Sequence, residues 1–285
     1  MKIPTSLILK VFMKIALIQN ACTKDREANL HRGIASAKEA ILNGAEVICF
    51  AELAFDRFYP QHPDPSDLHS LAEPIPGPTT QLFSELAAQH QVVFVLNLFE
   101  KDGELTYDSS PVINTDGSLL GTTRMIHIAE FECFHEQQYY APGNTGAPVY
   151  DTPFGRIGVA ICYDRHYPEY MRALALNGAD VVFVPQAGAL GEWEDGVYEA
   201  ELQAAAFQNG YYTALCNRVG KEDRLTFSGE SFVCNPTGKI LARAASEKND
   251  ILYCNLDLSQ NPSSPAKKWF LRDRRPELYG RWLST

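Results

Sequence analysis

The chain has 285 residues, of which 45% are hydrophobic and 21% are charged, and its formal net charge is −10 at pH 7. These values are typical of a globular protein with enough apolar material for a full core, and they exclude disordered and fibrous classes. An acidic chain does not present the basic surface that neutralises phosphates, so we expect no nucleic-acid partner. A small-molecule substrate is the expected partner.

Cysteine usage and the N-terminal stretch bear on location. The seven cysteines are an odd set, and most lie in apolar runs such as VICF around Cys49 and TALCN around Cys216. This pattern does not match a disulfide framework and predicts a reducing, cytoplasmic location. The opening MKIPTSLILKVF is too short to span a bilayer and has no cleavage site, so we expect no membrane partner. We interpret residues 1–12 as an extension without a structural role.

Short β-rich runs alternate with helical patterns along the chain, which predicts an α/β protein. The predicted helices cover 26–42, 78–89, 168–176 and 194–208, and the predicted strands cover 15–19, 47–50, 92–98, 156–162, 181–185, 211–216, 230–234 and 251–255. A further hairpin is expected around Asp116-Gly117, a dipeptide favoured in tight turns. The pattern predicts one domain over residues 13–260, followed by an irregular tail over 261–285 that packs on the domain or on a partner subunit.

Cys162 stands where an apolar strand ends and a polar helix begins, in GRIGVAICYDRHYPEYMRAL. Such an elbow places a side chain beside free backbone N–H groups, which lower a thiol's pKa and offer an oxyanion site. The alternative interpretation is a buried, unreactive cysteine, which is the commoner case for a cysteine taken at random. The elbow favours a nucleophile.

Carboxylates follow two other strands. Glu52 comes directly after the apolar run AEVICFA and is a candidate base for the thiol proton, although a capping or ion-paired carboxylate is the alternative. The segment RMIHIAEFECFHEQ gathers further acidic and histidine side chains, but His127, Cys133 and His135 do not match zinc spacings. We therefore predict neither a metal site nor a cofactor.

These strand ends resemble the nitrilase superfamily of carbon–nitrogen hydrolases, in which a glutamate, a lysine and a cysteine form the catalytic set in that chain order. The matching motifs span nearly the whole chain: FAELAF with Glu52, the strand Arg124–His127, FHEQQYYAPGNTG with Glu136, ICYDRHYPE with Cys162, NRVG from Asn217, the NPTG turn and RDRRPELYG. The resemblance implies a four-layer αββα sandwich whose subunits pair into an αββα-αββα dimer.

At the position of the family's lysine this sequence has Met125. A lysine ammonium stabilises the thiolate and the oxyanion and can pass a proton to departing ammonia, and methionine does none of this. We therefore expect a more neutral Cys162 thiol, an easily protonated Glu52 and a slower reaction. Arg124 or His127 are possible substitutes. Strand alternation places Arg124 and Met125 on opposite faces, and we expect Met125 to face the site.

The resemblance implies hydrolysis of an amide or N-carbamoyl bond through a Cys162 thioester, with Glu136 orienting substrate or water. Nitrile hydrolysis is the neighbouring activity. Arg165 in the D-R pair resembles a carboxylate-binding arginine of N-carbamoyl-amino-acid hydrolases, and its alternative is an internal ion pair with Asp164 or Glu169. The other candidate substrate contacts are Tyr163, Trp193 and Asn217. A catalytically silent homologue that binds an acyl or amide ligand, or serves as an assembly partner, is the rival hypothesis, and Met125 favours it.

Overall fold

The computed structural model describes residues 11–65 and 67–283. Two large sheets and two small hairpins contain its strands, which in chain order are β1 (Phe12–Gln19), β2 (Val47–Phe50), β3 (Val93–Val95), β4 (Leu98–Asp102), β5 (Leu105–Ile113), β6 (Leu119–Arg124), β7 (Glu130–Phe131), β8 (Phe134–His135), β9 (Val149–Thr152), β10 (Gly155–Val159), β11 (Val181–Gln186), β12 (Tyr212–Asn217), β13 (Val219–Lys221), β14 (Thr226–Ser228), β15 (Phe232–Cys234), β16 (Ile240–Arg243) and β17 (Asp250–Asp257).

The helices are α1 (Arg26–Leu42), α2 (Leu68–Leu71), α3 (Pro78–His90), α4 (Pro168–Leu176), α5 (Val197–Asn209), α6 (Gln260–Ser263) and α7 (Pro276–Leu283). Short 3-10 turns at Tyr59–Gln61, Glu136–Gln138 and Cys162–His166 lie between these elements. Asp25 begins α1 because its side chain accepts a hydrogen bond from the Ala28 N–H, and Pro78 occupies the first turn of α3.

One sheet has the order β17-β1-β2-β3-β5-β4, with β6 also paired to β5, and the other has the order β16-β15-β12-β11-β10-β9. The central strands of each sheet are parallel, β1 with β2 and β3, and β10 with β11 and β12. Parallel central strands place their carboxyl ends at one edge, which is where loops build a site.

Three buried hydrophobic clusters define the layers. One cluster lies between the sheets and joins Ile15 and Val95 to Val159 and Phe183. A second lies under α1 and α3, and a third lies under α4 and α5. The order is therefore helices, sheet, sheet, helices, which confirms the predicted four-layer αββα sandwich.

The structure corrects three element predictions. The strand expected over 92–98 is broken between β3 and β4, and the break turns the side chain of Asn97 inward. The strand expected to reach Cys162 ends at Val159. The tail expected to be irregular contains α6, the helical turn Ala266–Phe270 and α7, whose first turn again begins with a proline.

The N-terminal extension predicted over 1–12 falls largely outside the described residues, and β1 begins at Phe12, one residue before the expected domain boundary. In residues 11–65 and 67–283, each helix is too short or too polar to cross a bilayer. All seven cysteines are free thiols.

Phe83→Ala tests the packing of the first helical layer. Phe83 is fully buried on α3, with ring centroids of Phe50, Phe55 and Phe94 at 5.3, 5.3 and 5.0 Å. We expect the free energy of unfolding to fall by about 3–5 kcal/mol because a large cavity replaces the ring. Urea unfolding followed by circular dichroism measures this loss. The control is Leu42→Ala at the exposed end of α1, for which we expect less than about 0.5 kcal/mol. Equal effects of the two variants would contradict this account of the core.

Candidate active site

Cys162 lies at the elbow that the sequence predicts. After β10, Ala160 and Ile161 continue the buried chain, and Cys162 begins a 3-10 turn with φ of +44°. A positive φ is costly for a non-glycine residue and persists only where the surrounding structure holds it. The Cys162 side chain is buried, and its Sγ accepts a hydrogen bond from Gln186 Nε2 at 3.2 Å.

Two carboxyl groups lie near this thiol. Glu52 follows β2, Glu136 begins its own 3-10 turn, and both are fully buried. One oxygen of each glutamate and the Cys162 Sγ all lie within 4.8 Å of one another. Glu136 Oε2 accepts a hydrogen bond from the Ala129 N–H at 3.0 Å, whereas Oε1 has no hydrogen-bond partner among the described residues. The structure thus brings together the three residues predicted from separate strand ends.

The backbone of Glu52 is held by a buried arginine whose role the sequence analysis missed. Arg218 Nη1 donates to the carbonyl oxygens of Glu52 and Leu53 at 2.7 and 2.6 Å, and Nη2 donates to Asp56 at 2.8 Å. Leu53, with φ of +44°, also donates its N–H to Asn97 Oδ1 at 2.7 Å. Arg218 belongs to the NRVG motif, and a charged side chain directly after a buried strand was the available signal.

Asp108 is a second residue that the sequence analysis missed. It lies on β5 and is fully buried, and its Oδ1 accepts a hydrogen bond from Asn97 Nδ2 at 2.5 Å. Its Oδ2 has no hydrogen-bond partner among the described residues. Asp108 lies close enough to Glu52 to raise the pKa of that carboxyl group. The signal for Asp108 in the sequence was a charged residue inside a strand that has neighbouring strands on both sides.

Met125 and Arg124 point to opposite sides, as strand alternation requires. Met125 is fully buried in the same inter-sheet cluster as Cys162. Arg124 instead binds Glu100 through Nε and Nη2 at 2.8 and 2.6 Å, and its guanidinium lies 3.9 Å from the centre of the Tyr107 ring. Met125 is therefore buried between the sheets, and that it faces the thiol itself stays a prediction. Arg124 is occupied elsewhere and does not replace a lysine.

His127 also contacts other side chains, Asp164 and Tyr167. Its Nδ1 lies 2.7 Å from Asp164 Oδ1, and its ring stacks on Tyr167 with centroids 3.5 Å apart. Asp164 also accepts hydrogen bonds from the N–H groups of Ile126 and His127 at 3.2 and 3.0 Å. Asp164 therefore ties the chain around position 125 to the Cys162 turn, and neither substitute considered for the lysine reaches the thiol.

Without a lysine at position 125, the acidic groups face one another, and the charge of Arg165 offsets their effect on the Cys162 thiol only in part. Burial raises the pKa of Glu52 well above its usual range, and the charges of Asp108 and Glu136 raise it further. Burial likewise raises the pKa of Glu136, and it raises the pKa of Asp108 to about 7. The pKa of the Cys162 thiol is raised by burial and then by Glu52 and Glu136. These shifts favour the neutral thiol over the thiolate and the protonated carboxyl groups over the carboxylates.

The candidate substrate contacts divide into two pairs. Tyr163 and Trp193 are part of one aromatic group, in which Phe131 lies 6.3 and 5.9 Å from their respective ring centres and His166 lies 5.0 and 5.2 Å away. Trp193 is partly exposed. These two side chains remain available as walls of a substrate cavity.

Arg165 and Asn217 are held by contacts inside the protein, and Asn217 also lines a cavity of about 350 Å³ beside Gln186. Arg165 Nη1 donates to the Cys162 carbonyl and to Gln186 Oε1, both at 2.9 Å, and Nε lies 3.1 Å from Glu201 Oε2. This fits the internal ion-pair alternative, but the partner is Glu201, because Asp164 is turned toward β6. The amide of Asn217 bonds to Gly188, Ser228 and Gly229. Its side chain shapes the neighbouring loops, and these bonds take up both of its polar atoms.

The geometry agrees with comparisons against known proteins. A sequence model of the family described as carbon-nitrogen hydrolase matches residues 14–263. The chain belongs to the carbon-nitrogen hydrolase family. Its site and its family show an enzyme that hydrolyses a carbon–nitrogen bond of the amide type through a cysteine.

Individual members of this family give the comparison more detail. The hydrolase is 34% identical to N-carbamoylputrescine amidase from Solanum lycopersicum, over 93% of each chain. The structure of a carbon-nitrogen hydrolase from Helicobacter pylori G27 superposes with a TM-score of 0.89 at 30% identity, covering 96% of this chain and 99% of that one. A variant of the amidase from Nesterenkonia sp. AN1 carries a covalent acetamide group at its active-site cysteine. It has a TM-score of 0.80 at 25% identity and coverage of 95% and 97%.

Met125→Lys is expected to make Cys162 of this hydrolase more reactive. An ammonium group near the thiol favours the thiolate and lowers its pKa by about 1–3 units, so iodoacetamide labelling at neutral pH should rise at least about tenfold. The midpoint of the labelling rate plotted against pH should move to lower pH, because the Cys162 thiolate then forms at a lower pH. Mass spectrometry of the Cys162 peptide measures the rate. Met125→Leu is the matched control, and identical profiles for the two variants would disprove the electrostatic explanation.

Proposed function

We propose that this enzyme removes the carbamoyl group from a small N-carbamoyl amine whose far end carries a positive charge. The observation that carries the reaction is the Cys162 thiol held between the buried carboxyl groups of Glu52 and Glu136. We infer the substrate class from an acidic cavity on the other side of Gln186. The similarity to N-carbamoylputrescine amidase supports both.

The acidic cavity has a volume of about 350 Å³ and is lined by Gln186, whose side chain also donates to the Cys162 Sγ. Its charged lining includes the carboxylates Glu194, Asp195, Glu199 and Glu230, with Arg243 as the one basic residue among the described residues that line it. Arg243 binds Glu199 at 2.6 Å and lies 4.0 Å from Glu230. Glu194 and Asp195 form no ion pair with a described residue, so the cavity favours a cation.

Aromatic side chains give the same cavity its apolar surface. Trp193 and Tyr198 line it, and the Tyr198 ring lies 4.5 Å from the Arg165 guanidinium. An aliphatic spacer between a carbamoyl group and an ammonium group suits such a surface, because aromatic faces pack on methylene chains and attract cations. A carboxylate-bearing substrate, the other possibility raised by Arg165, would meet the acidic lining and an arginine already paired with Glu201.

The reaction follows from the residues in place. Glu52, when ionised, accepts the Cys162 proton, and the sulfur attacks the carbamoyl carbon. Ammonia leaves with a proton from a neighbouring carboxyl group, and the amine remains attached through a thiocarbamate. Water oriented by Glu136 then cleaves the carbon–sulfur bond, and the released carbamic acid separates into carbon dioxide and the amine. In this chain the acidic groups must supply both base and acid, because Met125 supplies neither.

The second candidate is a catalytically silent homologue that binds the same class of ligand. The observation in its favour is the fully buried Met125, together with the ion pairs that Arg124 makes with Glu100 and His127 makes with Asp164. The presence of two carboxyl groups around a thiol favours the enzyme, because binding alone gives no chemical reason to bury them.

We further propose a homodimer or higher homo-oligomer in the cytoplasm, without a nucleic-acid partner. Exposed Trp269, Phe270 and Trp282 near the C-terminus give the described surface an apolar region suited to a second copy. The free cysteines support a reducing compartment, and the acidic composition supports the lack of nucleic-acid binding.

Replacement of the nucleophile and of the methionine tests the reaction. Cys162→Ala should abolish ammonia release from N-carbamoyl-1,4-diaminobutane, because no thioester-type intermediate can form. Met125→Lys should increase kcat by about two to four powers of ten, the range for a restored acid–base or oxyanion group. Met125→Leu is the control. Turnover that persists in Cys162→Ala would end the proposed mechanism, and no turnover in any variant would favour the silent homologue.

A comparison of substrates tests the acidic cavity. We expect kcat/KM for N-carbamoyl-1,4-diaminobutane to exceed that for N-carbamoylbutylamine by about tenfold, with an N-carbamoyl amino acid slower still, since exposed charge pairs contribute up to about 1 kcal/mol each. Glu194→Gln combined with Asp195→Asn should remove the preference for the cationic substrate and leave the neutral one unaffected. Glu27→Gln, exposed on α1, is the control for net charge. A preference that survives the double replacement would place recognition elsewhere.

A further inference from the structure

Three ligand-type atoms converge in the interior of the described structure without a cation beside them. An oxygen of Glu52, an oxygen of Glu136 and the Cys162 Sγ all lie within 4.8 Å of one another, and the three residues are buried. Carboxylate oxygens and a thiolate sulfur are ligands that Zn²⁺ takes in proteins. This cluster is different from the residues His127, Cys133 and His135 that the sequence alone raised as a metal site.

An independent observation shows that these groups lack partners. Both oxygens of Glu52 and Oε1 of Glu136 accept no hydrogen bond of ordinary geometry from the described residues, although both side chains are completely buried. Asp108, which neighbours Glu52, likewise has an unpartnered Oδ2. Glu52 interacts with the Cys162 thiol and the Asp108 carboxyl group, neither of which carries a positive charge. Buried polar groups are normally paired, so these oxygens suit a positive partner.

The nearby guanidinium groups act on this cluster through their charge, but their hydrogen bonds go to other groups. Arg218 directs its guanidinium to backbone carbonyls and to Glu222, and Arg165 directs its own to the Cys162 carbonyl, Gln186 and Glu201. The side chain at position 125 is a methionine, which carries no charge to repel a metal ion and has a thioether compatible with soft cations.

We propose that Glu52, Glu136 and Cys162 form a binding site for a divalent cation of borderline softness, of the Zn²⁺ type. On binding, the thiol and any protonated carboxyl group release their protons to solvent, and metal–sulfur and metal–oxygen bonds form with no change of oxidation state. The bound ion neutralises the acidic cluster and occupies the nucleophile, so Cys162 becomes unreactive until the metal is removed.

The surrounding contacts orient the donors toward a common point. Gln186 Nε2 holds the Sγ, the Ala129 N–H holds Glu136 Oε2 and leaves Oε1 inward, and Arg218 fixes the Glu52 turn. Donor atoms around a tetrahedral zinc lie roughly 3.5 Å apart, so the side chains need to close by about 1 Å. Three protein donors leave a fourth position for water, as in an open zinc site.

Co²⁺ binding to the full chain, freed of metal with a chelator, tests the site. We expect one equivalent of Co²⁺ to produce a thiolate-to-cobalt charge-transfer band that Zn²⁺ displaces. Cys162→Ser should remove the band. Glu136→Gln should weaken Co²⁺ binding by more than about 10–100-fold, the loss typical when a residue that contacts a metal ligand, but not the metal, is replaced. Cys133→Ser, the control at the half-buried cysteine of the β7–β8 hairpin, should retain it. A band that Cys133→Ser removes and Cys162→Ser keeps would overturn the proposal.

Position 125 gives a second test that does not depend on removing a ligand. Met125→Lys should weaken Co²⁺ binding about 100-fold or more because its ammonium competes for the same carboxylates, whereas Met125→Leu should bind like the parent. Thermal melting confirms that each variant is folded. Zn²⁺ should also block iodoacetamide labelling of Cys162 in the parent protein, and a chelator should restore it. Equal affinity in the Lys and Leu variants, or labelling unaffected by Zn²⁺, would refute the site.

These readouts are independent of the proposed function. Metal binding is measured by absorbance and labelling without any substrate, and ammonia release is measured in metal-free protein. A protein that binds Co²⁺ through Cys162 but hydrolyses no carbamoyl compound would contradict the function alone. A protein that hydrolyses N-carbamoyl-1,4-diaminobutane but shows no thiolate–cobalt band would contradict the metal site alone.

Discussion

The burial of acidic groups around one thiol is the constraint on which this site depends. Glu52, Asp108 and Glu136 are completely enclosed between the two sheets together with Cys162. Charge in such an environment is costly unless it is paired, so these groups retain protons or acquire a cation. The proposed reaction, the expected response to a lysine at position 125 and the proposed metal site all depend on how that charge is balanced.

The scaffold around the acidic groups is rigid because hydrogen bonds connect the ends of separate strands. Arg218, from the end of β12, holds the Glu52 turn that follows β2, while Asn97, between β3 and β4, contacts both Leu53 and Asp108. Asp164 links the Cys162 turn to the chain after β6. The contacts of Arg218 and Asp164 cross from one sheet to the other, so the site is assembled only when the sandwich closes. The positive φ values of Leu53 and Cys162 are sustained by the same contacts.

Charge is distributed differently in the reaction centre and in the adjacent cavity. The centre buries its acids, which raises their pKa values, whereas Glu194 and Asp195 are exposed at the cavity. Gln186 separates the two regions and contacts the nucleophile directly. In the function that we propose, the cavity receives the cationic end of the substrate and the neutral carbamoyl group approaches the thiol.

The sequence by itself determined the layered α/β architecture, the nucleophile elbow and the departure at Met125, because hydrophobic periodicity and strand-end residues are local properties of the chain. It did not determine that Arg165 pairs with Glu201, that the Asn217 amide hydrogen-bonds to neighbouring loops, or that Asp108 joins the acidic cluster. Those outcomes depend on which side chains from separate strands, helices and loops meet when the chain folds. Only the tertiary structure decided them, since a partner far away in the chain is chosen by packing and by the need to pair buried polar groups.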